Sequence, residues 1–222
     1  MEIIDHSVVL MQPGEHDENK LVDLIEYAAR TCYQSFDKMK VGSGEELIRS
    51  CIKNGHESVL EHAVISFHII TSRYNSHELV RHRIASYSQE SQRYCAYKQH
   101  LKFIKPLWLN EIPIGKWTII PIVEKSEFTT PLNWITFFKG LLEVEQLYKN
   151  LISQGYKPEE AREILPNCTA TELAMTANIR EWRHILNLRL SPKASKEMQY
   201  LMNMILDEFK INFPIFVEDF KL

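Results

Sequence analysis

The chain has 222 residues, 45% of them hydrophobic and 25% charged, and its 26 Lys and Arg against 29 Asp and Glu leave a formal charge of -3. That is ordinary globular usage, and at this length one compact domain over residues 1–222 is expected. The nearly balanced charge excludes binding to polymeric nucleic acid or a membrane surface by bulk field alone.

No run approaches the roughly 20 apolar residues of a membrane span. The opening Met1-Glu2-Ile3-Ile4-Asp5-His6 lacks the basic-then-apolar order of a secretion signal. Cys32, Cys51, Cys95 and Cys168 have no paired spacing of a zinc ribbon or redox dithiol. They are expected as reduced, mostly buried thiols of a soluble, cytoplasmic protein.

In chain order, residues 2–10 predict a first strand, and Leu21, Val22, Leu24, Ile25, Ala28 and Ala29 predict a helix by their spacing. Ser43 with Glu46 reads as a capping box opening a helix that stops at Gly55. Ala63, Ile65, Phe67 and Ile69 form one face of a strand, followed by a helix from about Ser76 to Ile84. The stretch from Arg93 to Ile122 is irregular. Thr130-Pro131 opens the longest helix, ending at Gly155, and a short one runs from Pro158 to before Pro166. Residues 169–177 suit strand or helix, residues 179–190 suit helix, and Ser191-Pro192 opens a final helix carrying Met198, Leu201, Met202 and Ile205. The expected class is α+β, a mixed or antiparallel sheet flanked by helices.

Chemistry concentrates at Arg81-His82-Arg83 and the polar run Ser86 to Tyr94. Lysine serves at many other cationic positions, so arginine here favours bidentate recognition of an anion. A helical Arg81-His82-Arg83 would fan its side chains about 100° apart, toward different partners. The plain alternative is solvated pairing of Arg81 and Arg83 with Glu78 and Glu90. A second cluster, Asn178, Arg180, Arg183, His184 and Arg189, favours one bipartite anion site. His56 and His62 are six apart, on opposite helical faces, so no metal site is expected from them with Glu57 and Glu61. No nucleophile elbow surrounds Ser86, Ser88 or Ser91, and no Gly-rich phosphate loop occurs.

Arg81-His82-Arg83 followed by seven residues and Ser91 resembles the signature of the flavin-dependent thymidylate synthases, the alternative ThyX family. The flanking Ile84-Ala85-Ser86-Tyr87, Ser91-Gln92-Arg93-Tyr94, Gly55-His56-Glu57-Ser58, Glu61-His62 and Asn187-Leu188-Arg189 are similar too, over about residues 1–215. The resemblance implies a methyltransferase that converts dUMP to dTMP with 5,10-methylenetetrahydrofolate as carbon donor and FAD, reduced by NADPH, as hydride source. It implies FAD contacts at Ser58, Arg81, His82, Arg83, Gln89, Asn178, Ile179, Arg180 and His184. Contacts to dUMP are implied at Glu78, Leu79, Val80, Arg81, Gln89, Glu90, Ser91, Gln92, Arg93, Arg162 and Arg189.

On residue chemistry, Arg93 and Arg162 suit the phosphate, and Arg189 suits the pyrimidine as the catalytic residue. Ser91 is expected to bind rather than attack. The resemblance also implies a homotetramer with sites where subunits meet. Gln89, Glu78 and His184 stand where relatives can carry Glu, Gln and Asn. A second reading is a nucleotide- or RNA-binding module that stacks bases on Tyr74, Tyr87, Tyr94 and Tyr97. The net charge opposes it.

Overall fold

Burial of alternating side chains organises the longest strands. The computed structural model describes residues 1–11, 17–97, 100–109, 112, 114–117 and 133–220. They form two units: Met1–His6, Ile70–Glu78 and Gln89–Glu172 in one, Ser7–Ile69, Leu79–Ser88 and Leu173–Leu222 in the other. The class is α+β, with helices and two sheets.

The predicted first strand is two: β1 (Glu2–Ile4) and β2 (Ser7–Leu10) lie in different sheets. Asp5 explains the break, because its Oδ1 accepts the His6 N–H at 2.8 Å and competes with the ladder. In the first unit β1 sits between β5 (Lys102–Ile104), paired in parallel, and β6 (Gly115–Lys116), paired antiparallel, so this sheet is mixed. Ile3, Leu101, Phe103, Phe138, Leu141 and Tyr148 build its core. Phe138, Leu141 and Tyr148 come from α4 (Asn133–Ser153). The opening of this helix at Thr130-Pro131 lies outside the described residues. Gly155 follows it with φ +92°, a backbone state that glycine adopts without Cβ strain.

The second sheet has the order β2-β3-β7-β4, with β3 Val64–Ser72, β4 Ala85–Gln89 and β7 Ala170–Asn178. Residues 169–177 therefore resolve as strand. In the second unit Ala63, Ile65, Phe67 and Ile69 are completely buried, as their spacing predicted. They join Trp182, Met198, Leu201, Met202, Ile205 and Phe209 in one core. Trp182 stacks edge-on against Phe67 at 5.2 Å, and its Nε1–H donates to the Ile65 carbonyl at 3.0 Å. Burying each such aromatic or aliphatic side chain contributes about 1.5–3 kcal/mol before entropy is counted.

Four helices cover this core: α1 (Glu18–Tyr33), α2 (Ser43–Lys53), α6 (Ile179–Arg189) and α7 (Lys196–Asn212). Two predicted starts are corrected. Gly42, at φ +81°, caps α2, while Ser43 Oγ sits 2.6 Å from Glu26 and accepts the Lys40 N–H, so no capping box forms. The final helix begins at Lys196 because Ser191 closes a turn with Ala194, whereas Ser195 Oγ accepts the Met198 N–H. The helix predicted to run to Ile84 is α3 (Arg73–Leu79), which ends two residues before Arg81. The helix expected at Pro158 is α5 (Pro158–Ala161), continued by a 3-10 turn to Ile164.

All four thiols are free, but none is fully buried: Cys32 and Cys95 are exposed, Cys51 and Cys168 partly so. Cys32 and Cys51 sit on helix surfaces and Cys95 in a loop, whereas Cys168 packs against the core of the first unit without being fully enclosed. Among the described residues no helix is long and apolar enough to cross a membrane.

Candidate active site

In the second unit the chain leaves α3 in a tight turn, closed by the His82 N–H donating to the Leu79 carbonyl at 3.0 Å. The Tyr87 hydroxyl, on β4, lies 2.7 Å from the Leu79 carbonyl and 3.0 Å from that of His82. Arg81-His82-Arg83 is therefore a pinned turn, not a helix. The divergence expected of it survives for another reason: the turn buries His82, 6% exposed, and leaves Arg81 and Arg83 in solvent. Neither arginine makes an ion pair or side-chain hydrogen bond among the described residues.

Asn178 caps α6, its Oδ1 accepting the Glu181 N–H at 2.8 Å. Ile179, Trp182, Ile185 and Leu186 bury one side of this helix and thereby fix where its polar residues emerge. Arg189, at its end, donates Nε–H to His82 Nε2 at 3.0 Å. An arginine has no acceptor, so His82 Nε2 is the lone-pair nitrogen and a neutral ring carries its proton on Nδ1. Nδ1 faces the buried Glu181 carboxylate at 3.7 Å. Burial, then the positive charge of Arg189 and the neighbouring His184, push the His82 pKa down to about 4. Burial raises the Glu181 carboxyl pKa. The His184 ring, exposed, stands edge-on to His82 at 6.1 Å.

The rest of the second cluster divides. Arg180 pairs with Glu61 at the surface, and Ser58 is exposed near the start of the preceding 3-10 turn. Ile179 and Leu79 are core side chains with no exposure, so each can offer a ligand only backbone, while Val80 is exposed. Arg183 leaves the expected anion cluster altogether. It is 4% exposed and committed to Asp219, Glu57 and the Phe216 carbonyl.

In the first unit Arg73, His77, Gln92 and Arg162 line a cavity of about 220 Å³, with Glu163 and Asn167 at its wall. Gln92 is 8% exposed, and its buried amide nitrogen has no hydrogen-bond partner among the described residues. Arg162 makes no ion pair among them, and Arg73 Nη1 donates to Thr171 Oγ1 at 3.4 Å. Two guanidinium groups, an imidazole and an unspent amide suit a small anion such as a phosphate. Arg93 instead meets Glu159 at 3.4 Å and lies over the Tyr94 ring. Ser91 Oγ accepts the Arg93 N–H at 3.4 Å, and no base is hydrogen-bonded to it among the described residues. Gln89 is held by Ser76 and Thr171, and Glu90 is half-buried with its carboxyl pKa raised by burial. Glu78, also half-buried, closes this unit's part of α3.

Two larger clefts of the second unit, about 510 and 680 Å³, take in none of the expected ligand residues. Sequence reasoning missed Arg73, His77 and Glu181, and gave Tyr87 only a base-stacking role in place of its hold on the turn. Arg73 and His77 lie four apart on one face of α3, a spacing visible in the sequence. Nothing in the spacing of Glu181 or Tyr87 relative to His82 announces their meeting.

The model of a family described as thymidylate synthase complementing protein matches residues 16–215. The chain belongs to this family. It is similar to the flavin-dependent thymidylate synthase of Pyrococcus furiosus, 35% identical over 186 residues, which cover 83% of this chain and 70% of that one. It is similar to that of Corynebacterium aurimucosum at 31% over 202 residues, 90% of this chain and 80% of the relative. For that of a Mycobacterium sp. the figures are 32% over 214 residues, 95% and 84%. The Arg81-His82-Arg83 turn, the capped α6 and the arginine-lined cavity all fall within the family match.

Proposed function

We propose that this protein is a flavin-dependent thymidylate synthase, a methyltransferase that makes dTMP from dUMP with a methylenetetrahydrofolate as carbon donor. The observation that carries the reading is the joint of His82 and Arg189, one from each arginine cluster, inside the family match over residues 16–215.

The residues fit a flavin. Arg81 and Arg83 are exposed and unspent among the described residues, and the exposed His184 ring on α6 stands 6.1 Å from that of His82. Guanidinium forks suit a diphosphate, and an exposed imidazole suits a planar ring. Arg81, His82, Arg83, Ser58, Asn178, Ile179, Arg180, His184 and Gln89 would hold FAD. When bound, the flavin supplies the hydride that reduces the transferred carbon.

Arg93 and Arg162 bind the dUMP phosphate, with Gln92 and backbone around Ser91 adding hydrogen bonds. Arg189 presents a permanent positive charge to the imide edge of the pyrimidine. It stabilises the anion as ring N3 loses its proton, which makes the carbon to be methylated more nucleophilic. Glu78, Leu79, Val80, Glu90 and Gln89 shape the remaining dUMP contacts. Ser91 binds without attacking, because it lacks a hydrogen-bonded base.

We assign NADPH as reductant, a homotetramer as the working assembly, one synthase domain over residues 1–222 and a cytoplasmic location. Four free thiols favour a reducing compartment, and a single family match over 16–215 favours one domain. The RNA-binding reading loses to the family match. Visible absorption of the protein with FAD, recorded before and after dUMP, tests the proposal. A bound-flavin spectrum perturbed by dUMP supports it, and a folded protein that takes up no flavin rejects it.

A further inference from the structure

We propose that His82 is a positioning residue for Arg189: its neutral ring accepts the Nε–H of Arg189 and fixes the plane in which that guanidinium is presented. The inference rests on the role given to Arg189 above, and goes beyond it in naming what aims it.

An arginine side chain has four rotatable bonds, and a charged head at a helix end samples many directions unless held. A bond at Nε differs from one at either terminal nitrogen, because it fixes rotation about the last torsion and with it the whole planar fork. The acceptor is itself immobile. His82 is 6% exposed, its N–H is tied to the Leu79 carbonyl, and the Tyr87 hydroxyl lies against its own carbonyl. The groups facing the ring are Arg189 at Nε2, Glu181 at Nδ1 and the edge of His184. Glu181, at 3.7 Å, favours the proton on Nδ1 and so leaves the Nε2 lone pair for Arg189. A doubly protonated ring would turn an N–H toward the guanidinium and lose the bond, and the low pKa of His82 keeps that form rare at neutral pH.

The test is a double-mutant cycle on the FAD-saturated full chain, with His82→Leu, His82→Gln, Arg189→Ala and the Leu/Ala double variant. His82→Leu is expected to lower kcat about 100-fold, with KM for dUMP changed far less, since misaiming a reacting group by about 1 Å costs that much. His82→Gln places an amide oxygen at similar reach, and recovery of at least about tenfold is expected. In the Arg189→Ala background, His82→Leu should subtract far less than in the wild type, what remains being the loss of its own contact with the flavin. Additive losses across the cycle overturn the proposal, as does failure of His82→Gln to recover.

A second readout does not depend on the synthase reading. The 15N signals of the His82 ring in the wild-type protein at neutral pH should show a protonated Nδ1 and an acceptor Nε2, and the Arg189 Nε–H signal should move in His82→Gln. An Nε2-protonated ring, or an unmoved Arg189 signal, rejects the contact even in a protein that makes no dTMP. The contact confirmed in such a protein would retain the proposal and reject the reading of the site instead.

Discussion

Arg183 and Asp219 meet fork to fork, with Nη1 to Oδ1 at 2.8 Å and Nη2 to Oδ2 at 2.7 Å, and so tie the C-terminal segment to the helix that carries Arg189. The guanidinium is buried while the carboxylate is half exposed, so the pair is screened on one side only. The Arg183 charge holds the Asp219 carboxyl below the usual aspartate range. Its contribution is therefore present at neutral pH and lost as pH falls through the folded-state pKa. Asp219→Ala should destabilise by about 1–2 kcal/mol at pH 7 in urea unfolding, because the buried cation loses a bidentate partner. The deficit should shrink below pH 4. A deficit that persists unchanged in acid would contradict the assignment.

Gly44 lies inside α2 where α1 passes closest. A Cβ built there would stand 2.6 Å from Val22 Cγ1 and 3.1 Å from Glu26 Oε2. Helix propensity favours Gly44→Ala by about 1 kcal/mol, but the overlap costs about 1–3 kcal/mol. The clash wins, and a net loss of stability is expected on thermal unfolding. Val22→Ala should make room, so the double variant should lose less than the sum of the two. Full additivity would show that the helices part without cost.

His82 gives a pH signature of its own. Its folded-state pKa lies near 4, below the ordinary histidine value of 6.5, so between these values the unfolded chain binds the extra proton. Stability must then fall as pH drops from about 6.5 toward 4. His82→Gln removes this group, and its unfolding free energy should have a shallower pH slope across that window. Equal slopes would mean that His82 is not held neutral.

Turnover separates Arg189 from Ser91. Arg189→Ala should lower kcat by about 100-fold or more while leaving most of the flavin bound, because its charge acts as the pyrimidine ionises. Parallel loss of flavin and turnover would reject that role. Ser91→Ala should still form dTMP, whereas a folded, flavin-loaded but inactive variant would make Ser91 a nucleophile.

The sequence displayed what depends on local pattern. Ile65, Phe67 and Ile69 alternate and are buried. Met198, Leu201, Met202 and Ile205 recur at helical spacing and are buried as well. What it could not display was competition between neighbouring polar groups. Asp5 breaks a strand by taking a backbone N–H, and Ser43 turns from capping to Glu26. The site divides the same way. Arginine choice and motif marked Arg81, His82 and Arg189, but the separation of 107 positions from His82 to Arg189 hid their bond, and nothing local marked Arg183 as spent on Asp219.

The most direct measurement is dTMP formation by the purified protein given dUMP, methylenetetrahydrofolate, NADPH and FAD, with each component omitted in turn. The account predicts dTMP only when FAD and the folate are both present. No dTMP from a folded, flavin-loaded protein, or dTMP formed equally well without flavin, would contradict it.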